Sequence, residues 1–277
     1  MNKKCGVITV LGETNSGKST LVNALVGQKV SIVSRKVQTT IFNISGIYTD
    51  ESTQIILIDT PGFFKGKNAI NYERRTWDAF RQTKTVLFVI DAHKKIQKNA
   101  KALIEKIDKE KDIILVINKI DLVKKTQLLS IIDEFSKIRD FSQVFMVSSM
   151  YNDGVEELRE YLLKVAPDGD WLFPEDETTD QSIETYVSEI TREHVYDLLH
   201  QELPYVVTVK TVSIEKRAPA GWIITQEIIV EKDSHKAMII GKGGTKIKAI
   251  GSAARKELSD ILECPIQLFL TVKVAKK

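Results

Sequence analysis

The sequence has very little cysteine, and it has no long apolar segment. Its only cysteines, Cys5 and Cys264, lie far apart among 277 residues. Their spacing matches neither a metal site nor a disulfide framework, so both are expected to be reduced. No run approaches the roughly 18 apolar residues that cross a bilayer, and residues 1–4 lead into the first predicted strand without a signal-peptide core. We therefore expect a cytoplasmic protein.

The sequence also has little net charge, and that charge is unevenly distributed. The formal net charge is +3, from 40 basic and 37 acidic residues. Residues 236–277 contain nine Lys or Arg and three acids, a net charge of +6, which leaves −3 for the rest. An acidic partner is therefore expected to bind the C-terminal part. The length suits two domains, each with its own core.

A glycine-containing loop near the N-terminus has the pattern of a phosphate-binding site. Residues 12–19 fit Gly-x-x-x-x-Gly-Lys-Ser, between a predicted strand at 7–11 and a predicted helix at 20–26. At a helix N-terminus, free N–H groups and the helix dipole favour a bound anion. The candidate nucleotide-binding residues of this stretch are Gly12, Glu13, Thr14, Asn15, Ser16, Gly17, Lys18, Ser19 and Thr20.

Four residues of this loop have separate predicted roles. Gly12 and Gly17 allow the backbone to approach phosphate oxygens. Lys18 places a positive charge at the β- and γ-phosphates, and the hydroxyl of Ser19 is a candidate Mg²⁺ ligand. A chance match in a loop without function is the alternative, and the flanking strand and helix argue against it.

A second motif follows the phosphate-binding loop by some 40 residues. Two strands are predicted, at 41–48 and at 54–58, and the second leads into Asp59-Thr60-Pro61-Gly62. Asp59 is expected to reach Mg²⁺ through water, and the N–H of Gly62 to contact the γ-phosphate. The tetrapeptide alone is also common turn chemistry, so the prediction depends on the loop that precedes it.

The polar loop at 31–40 supplies the third predicted Mg²⁺ ligand. Of its two candidate switch threonines, Thr39 and Thr40, we assign Thr40 to the metal when a γ-phosphate is present. Two solvated loop threonines are the alternative. The predicted metal ligands are Ser19, Thr40 and Asp59.

Alternation of strands and helices predicts the fold of the first domain. Residues 85–91 and 112–117 are continuous apolar runs of the length of buried parallel strands, with a helical stretch at 99–111 between them. A last strand is predicted at 144–147 and a helix at 155–163. This pattern indicates a doubly wound, mostly parallel α/β sheet that binds its ligand at the carboxyl ends of the strands.

The strand at 112–117 delivers Asn118-Lys119-Ile120-Asp121 to that edge. The carboxylate of Asp121 can accept hydrogen bonds from N1–H and the 2-amino group of guanine, which adenine lacks, while Lys119 covers the base and Asn118 ties loops together. Ser148 and Ser149, after the last strand, fit a backbone contact to the guanine carbonyl. The sequence therefore predicts GTP and GDP as ligands.

A second domain is predicted beyond an acidic segment. Residues 168–184 contain seven acids and no Lys or Arg, which indicates a solvated linker whose Trp171 and Phe173 pack on a domain surface. A helix at 183–199, strands at 205–216 and 222–232, a helix ending at Leu262 and a strand at 266–274 follow. The predicted class of this domain is α+β.

A second glycine-containing loop lies in the basic region of that domain. Gly241-Lys242-Gly243-Gly244 fits the Gly-x-x-Gly loop that clamps about four nucleotides of single-stranded RNA. A mobile loop is the alternative, and the preceding Ile-Ile, the following helix and the positive charge argue against it. The candidate RNA-binding residues are Ile240, Gly241, Lys242, Gly243, Gly244, Lys246 and Lys248.

Taken together, these motifs resemble the bacterial Era family of GTPases over nearly the whole chain. To those above they add Lys36-x-Gln38-Thr39-Thr40 and Glu202-Leu203-Pro204-Tyr205. The resemblance implies a Ras-like, P-loop GTPase domain at 1–167, a linker at 168–182 and a type II KH domain at 183–277. It further implies a monomeric GTP-hydrolysing factor that binds the 3′ end of 16S ribosomal RNA and assists 30S subunit assembly. Peripheral association with the cytoplasmic face of the inner membrane is also implied.

The chain departs from the family at positions near the γ-phosphate. Ile41 stands where an Arg usually follows the threonines. Phe63 stands where Ras-like enzymes often have the Gln that orients the attacking water, and two replacements are open: a backbone group, or a K⁺ ion held partly by Asn15. The candidate catalytic residues are Lys18, Thr40, Asn15 and Gly62.

Three function classes compete at this point. A switch GTPase acting on ribosomal RNA is favoured. An RNA-binding protein with a regulatory, non-hydrolysing nucleotide site is the second, and a turnover measurement separates the two. An assembly factor with tandem GTPase domains is the third, and the single phosphate-binding loop argues against it.

Overall fold

The protein is described by a computed structural model for residues 2–33, 44–60, 83–94, 98–199, 207–217 and 221–275. Two compact units form, and the last boundary between them along the chain lies between Asp180 and Gln181. Within the ranges described, no helix combines the length and the hydropathy needed to cross a membrane.

The first unit is built on a sheet with the strand order β2-β3-β1-β4-β5-β6. Its strands are β1 Lys4–Gly12, β2 Ile44–Asp50, β3 Thr53–Asp59, β4 Thr85–Asp91, β5 Asp112–Asn118 and β6 Gln143–Val147. Its described helices are α1 Lys18–Val26, α2 Lys98–Glu105, α3 Lys125–Ser136 and α4 Val155–Val165. β2 is antiparallel to β3 and the other pairs are parallel, so the predicted mostly parallel sheet is confirmed.

Helices cover both faces of this sheet. One core contains apolar side chains of α1 and α4, and the other contains those of α2 and α3. Because β4 and β5 are buried on both faces, their sequences are continuous apolar runs rather than alternating ones. The three layers bring the carboxyl ends of β1, β3, β4 and β5 to one edge.

The helix predicted at 99–111 is shorter in the structure, where α2 ends at Glu105. Lys106 N donates to Leu103 O at 3.1 Å, a bond that tightens the last turn. Arg139 then donates through Nη1 to the carbonyl of Ile107 at 2.6 Å and through Nη2 to that of Asp108 at 2.6 Å. In a longer helix these carbonyls would accept hydrogen bonds from the next turn. Arg139 takes the place of those donors, so the helix can end before β5 begins.

The acidic segment 168–180 is held against the first unit, although many of its residues are exposed. Ile47 N donates to Thr178 O at 2.8 Å and Ser45 N donates to Asp180 Oδ1 at 3.0 Å, so the segment covers the outer edge of β2. Trp171 Nε1 donates to Ser52 O at 3.3 Å. Acidic composition predicted a solvated linker; these bonds show a segment that is solvated and also attached.

Gln54 is the main side-chain anchor of this segment. It is 0% exposed, and its amide oxygen accepts from Leu172 N at 3.0 Å and from Phe173 N at 3.1 Å. Its amide nitrogen donates to Phe173 O at 3.0 Å and to Thr49 Oγ1 at 3.1 Å. A buried amide with its hydrogen bonds made in this way fixes the path of the segment.

Replacing Gln54 by Ala is expected to loosen the segment and destabilise the first unit. Losing a buried amide and leaving its partners unpaired should lower the free energy of unfolding by about 2 kcal/mol. Urea denaturation and limited proteolysis measure the two effects, and cleavage within 168–180 should become faster. Gln143→Ala, at an exposed position of β6, is the control. Equal cleavage rates in the two variants would contradict the anchoring role.

The second unit has a three-stranded sheet with helices on one face. The sheet contains β7 Thr208–Arg217, β8 Gly221–Val230 and β9 Ile266–Val274 in the order β7-β8-β9, with β7 antiparallel and β9 parallel to β8. Its described helices are α5 Ile183–Leu198, α6 Asp233–Ile240 and α7 Thr245–Ile261. The predicted α+β class is confirmed; α6, just before the second glycine loop, is a helix that the sequence analysis did not predict.

Candidate functional site

The phosphate-binding loop lies between β1 and α1, as predicted, and two of its glycines are required by close contacts. A Cβ atom added to Gly12 would lie 2.2 Å from the carbonyl oxygen of Val89 in β4. One added to Gly17, which has φ 93°, would lie 2.2 Å from the side-chain nitrogen of Asn118. Any larger residue would push this loop away from the neighbouring strand ends.

Lys18 extends back into the loop that precedes it. It is 6% exposed, and its ammonium donates to the carbonyl of Gly12 at 3.2 Å and to that of Glu13 at 2.8 Å. Burial lowers the pKa of Lys18 to about 8, and the charge of Asp59 opposes that shift. The positive charge is thus held at the loop, and an anion bound there would favour the protonated form.

Two of the predicted metal ligands are in contact. The hydroxyl of Ser19 donates to Asp59 Oδ2 at 2.7 Å, and Asp59 is 0% exposed at the end of β3. A hydroxyl and a carboxylate are oxygen ligands of the kind that Mg²⁺ takes together with phosphate oxygens and water, so the described residues fit that ion. Thr60, next to Asp59, donates to the carbonyl of Val10 at 2.7 Å and fixes the end of β3 on β1.

Several predicted residues near the γ-phosphate lie outside the described residues. They are Thr39, Thr40, Ile41, Pro61, Gly62 and Phe63. Asn15, by contrast, is described: it is exposed and has φ 63°, a conformation that Asn tolerates better than most residues. Asn15 therefore lies on the rim of the loop, where its side chain is accessible to an ion. The backbone group that could replace K⁺ lies outside the described residues.

Asn118 joins the phosphate-binding loop to the loop after β6. It is 1% exposed, and its amide nitrogen donates to the carbonyl of Ser16 at 3.0 Å. Its amide oxygen accepts from Ser149 N at 3.1 Å and from Ser149 Oγ at 2.9 Å. Because the N–H of Ser149 already donates to Asn118, a contact from this N–H to a base would have to share the donor.

Asp121 lies at the open side of the same edge. It is exposed, and one of its carboxylate oxygens accepts from the hydroxyl of Ser148 at 2.5 Å. That bond orients the carboxylate, and the exposure leaves it accessible to a base. Asp121 follows Lys119, whose φ of 64° turns the chain sharply between the buried Asn118 and the exposed carboxylate.

Two residues of this site were missed from sequence. Asp91, the last residue of β4, accepts from the ammonium of Lys119 at 2.7 Å. Lys94 donates to the carbonyl of Thr14 at 3.1 Å. The only signal for Asp91 was its place at the carboxyl end of a predicted parallel strand, where ligand-binding residues collect.

The second glycine loop connects α6 to α7. Gly243 has φ 60° and Gly244 has φ 78°, and a Cβ added to either would meet nothing within 4 Å. Lys242 is exposed, and its carbonyl accepts from Thr245 Oγ1 at 3.0 Å. The side-chain stem of Lys246 packs against Gly241, where an added Cβ would lie 2.8 Å from its Cγ. The loop is therefore open to a ligand on the side of Gly243 and Gly244.

An open groove of about 360 Å³ runs beside this loop, between α7 and β9. Its lining combines apolar side chains with a basic rim: Ile247, Lys248, Gly251, Ser252, Arg255, Leu268 and Leu270. Lys248 was predicted, whereas the others were not. Four of them share one face of α7 at helical spacing, but the contribution of β9 could not be inferred from that periodicity.

Family models match both units. One described as "50S ribosome-binding GTPase" matches residues 7–119, and one described as "KH domain" matches residues 202–277. GTPase Era of Bradyrhizobium diazoefficiens is 44% identical over 274 residues, which cover 98% of this chain and 89% of that protein.

Solved structures match over nearly the full length. A crystal structure of Era in complex with MgGDPNP and nucleotides 1506–1542 of 16S ribosomal RNA has a TM-score of 0.92 and 35% identity, covering 99% of this chain and 95% of that one. A crystal structure of a variant of Aquifex aeolicus Era bound to GDP and AlF4⁻ has a TM-score of 0.91 and 35% identity, with the same coverage.

Proposed function

The chain belongs to the GTPase Era family, and we propose that it is a GTP-hydrolysing switch that binds the 3′ end of 16S ribosomal RNA and assists 30S subunit assembly. Residues 1–167 would bind and hydrolyse GTP, 168–182 would link the domains, and 183–277 would bind RNA. The observation that carries the proposal is the meeting of the phosphate-binding loop, the Ser19–Asp59 contact and the Asn118–Asp121 motif at one sheet edge.

Each part of the nucleotide has a group to receive it in this proposal. The N–H groups of 12–20 and the ammonium of Lys18 would bind the phosphates, with the Asp59 to Gly62 segment at the γ-phosphate. Ser19, Asp59 and Thr40 would hold Mg²⁺, which neutralises charge on the phosphate oxygens when bound. Asp121, Lys119 and Ser148 would surround the guanine base, with Asn118 and Ser149 supporting them.

Catalysis in this site is electrostatic. Lys18 would stabilise the charge that develops on the transferred phosphoryl group, and the backbone around Gly62 and Thr40 would position the water. Phe63 has no polar group to orient that water. We infer that a K⁺ ion held in part by Asn15 supplies the additional positive charge.

The K⁺ hypothesis predicts faster hydrolysis in KCl than in NaCl at equal ionic strength, by about tenfold, because a preorganised charge stabilises the transition state. Phosphate release under single-turnover conditions measures the rate. Asn15→Gly is the matched variant, because glycine keeps the left-handed backbone (φ 63°) and removes the side-chain amide whose oxygen would bind K⁺. It should lose the dependence on K⁺. Equal wild-type rates in the two salts would remove K⁺ from the mechanism.

The RNA-binding proposal rests on the second unit. The Gly241 to Gly244 loop, open on one side, and the groove between α7 and β9 form a surface with Lys242, Lys248 and Arg255 on it. Sugar-phosphate would pass along the glycines while bases contact the apolar groove floor. Ile240 and Lys246 would support the loop from behind.

One experiment tests the proposed function as a whole. Crosslinking of the protein to 16S ribosomal RNA with GTP or GDP bound should give crosslinks at the 3′ end, from residues of 240–255. GTP turnover, measured in parallel, separates the switch from a protein with a non-hydrolysing site. Peripheral attachment to the inner membrane, a cytoplasmic location and a monomeric state stay predictions of the family resemblance; vesicle flotation and sedimentation test them.

A further inference from the structure

We propose that Asp91 is a positioning residue of the guanine-nucleotide site, which acts by holding the ammonium of Lys119 across the phosphate-binding loop. The inference rests on the proposed function, since it assigns Lys119 to the base. Asp91 lies at the end of β4, outside the sequence motifs of the nucleotide site.

The ammonium of Lys119 has two partners on different elements. It donates to Asp91 Oδ2 at 2.7 Å and to the carbonyl of Asn15 at 2.7 Å. Its stem crosses the loop between them, since Cε lies 3.9 Å from the position of a Cβ at Gly17. The side chain therefore ties the end of β4 to the rim of the phosphate-binding loop.

The two charged groups differ in exposure in a way that indicates their roles. The side chain of Asp91 is 5% exposed, whereas that of Lys119 is 32% exposed. A carboxylate so far from water requires a cation, and removal of the cation is costly. The side chain of Lys119 is exposed enough for a planar base to cover it. Asp91 is thus the fixed partner, and Lys119 is the group that it places.

The backbone around Asp91 makes that placement rigid. Asp91 is paired with Asn118 in the parallel register of β4 and β5, and Ala92 N donates to the carbonyl of Asn118 at 2.9 Å. The second carboxylate oxygen, Oδ1, accepts from His93 N at 2.9 Å. The N–H of His93, in the turn after β4, thus donates to one carboxylate oxygen of Asp91, and the ammonium of Lys119 donates to the other. The charge and the guanine motif are therefore fixed to the same pair of strand ends.

The test is Asp91→Asn, which keeps the shape and an oxygen for His93 N but removes the charge. Dissociation of a fluorescent GDP analogue by stopped flow, with Mg²⁺ present, should become about tenfold faster, because a charge-assisted bond is lost. GTP and GDP should be affected equally, since both have the same base. The KM for GTP should rise by a similar factor while kcat at saturation stays within about twofold, because Lys119 does not contact the reacting phosphate.

Asp108→Asn is the matched control. Asp108 Oδ1 accepts from Glu110 N at 3.1 Å, the same bond from an N–H two residues later, at an exposed position that is not at the carboxyl end of a strand. This variant should bind both nucleotides as the wild type does. A loss as large as that of Asp91→Asn would show that the effect does not depend on the ion pair with Lys119.

A double-mutant cycle separates positioning from general stability. In a Lys119→Met background, Asp91→Asn should change GDP dissociation by less than about twofold, since the partner through which it acts is gone. Equal effects in both backgrounds would overturn the proposal. Asp91→Glu keeps the charge and should retain most of the affinity for GDP. It provides the test if Asp91→Asn is poorly folded. A tenfold loss of GDP affinity in Asp91→Glu would also contradict the proposal. Failure of the wild type to bind GDP would instead refute the proposed function.

Discussion

Replacing Asp121 by Asn is expected to change the nucleotide specificity from guanine to xanthine. Asparagine keeps an oxygen that can accept from Ser148, as Asp121 Oδ1 does at 2.5 Å, so the side chain should stay in place. Its amide nitrogen then presents a donor where guanine also presents donors. Xanthine has a carbonyl in place of the 2-amino group, and the oxygen of this carbonyl can accept a hydrogen bond from the amide nitrogen of the new asparagine. The ratio of GTP to XTP affinity should fall by about 10⁴-fold, because polar groups that the bound base covers and leaves unpaired discriminate strongly.

Competition of GTP, GDP and XTP against a fluorescent nucleotide measures this ratio. Asp153→Asn is the control, since Asp153 is exposed and its carbonyl, which accepts from Ser148 N at 2.9 Å, is unchanged by the substitution. That variant should keep the preference for GTP. Unaltered GTP affinity in Asp121→Asn would mean that another residue recognises the base. Loss of all nucleotides together would point to a collapsed loop, which circular dichroism and thermal melting would reveal.

The residues that the sequence could predict at the nucleotide site are those with a fixed spacing along the chain. Gly12 to Ser19, Asp59 and Asn118 to Asp121 each follow an apolar run, and parallel strands place their carboxyl ends at one edge. The residue types in each motif then determine which part of the nucleotide is bound at that edge. The parallel topology alone brings these distant residues together, without a specific pairwise contact between them.

The residues that the sequence could not predict depend on contacts without a motif. An Asp after a strand is common, and only the 2.7 Å bond to Lys119 distinguishes Asp91. The groove lined by Arg255 and Leu268 requires the packing of α7 against β9, which periodicity within α7 does not specify. The acidic composition of 168–180 predicted solvation correctly, but its attachment depends on Gln54, a polar residue inside a strand.

Replacing Gly243 by Asp is expected to weaken RNA binding by about a hundredfold, because like charges brought together in an interface cost several kcal/mol. The structure makes this substitution informative. Gly243 has φ 60°, which Asp and Asn tolerate better than other residues with a side chain, and a Cβ there meets nothing within 4 Å. The loop should therefore keep its conformation, and the new carboxylate should face the phosphates of a strand that runs along it.

Gly243→Asn separates charge from shape, because asparagine has the same size and the same tolerance of the left-handed conformation. Filter binding to a single-stranded oligonucleotide of the 16S 3′ end should give a dissociation constant within about threefold of the wild type for Asn, since only a neutral side chain is added. Affinity should fall with salt, with a slope that reports the phosphates neutralised by residues such as Lys242 and Lys248. Equal binding by the Asp and Asn variants would argue against a phosphate contact at Gly243, and binding without salt dependence would argue against the basic surface. A defect confined to Asp, with the slope retained, assigns the glycine loop to the backbone of the RNA and leaves the groove beside it for the bases.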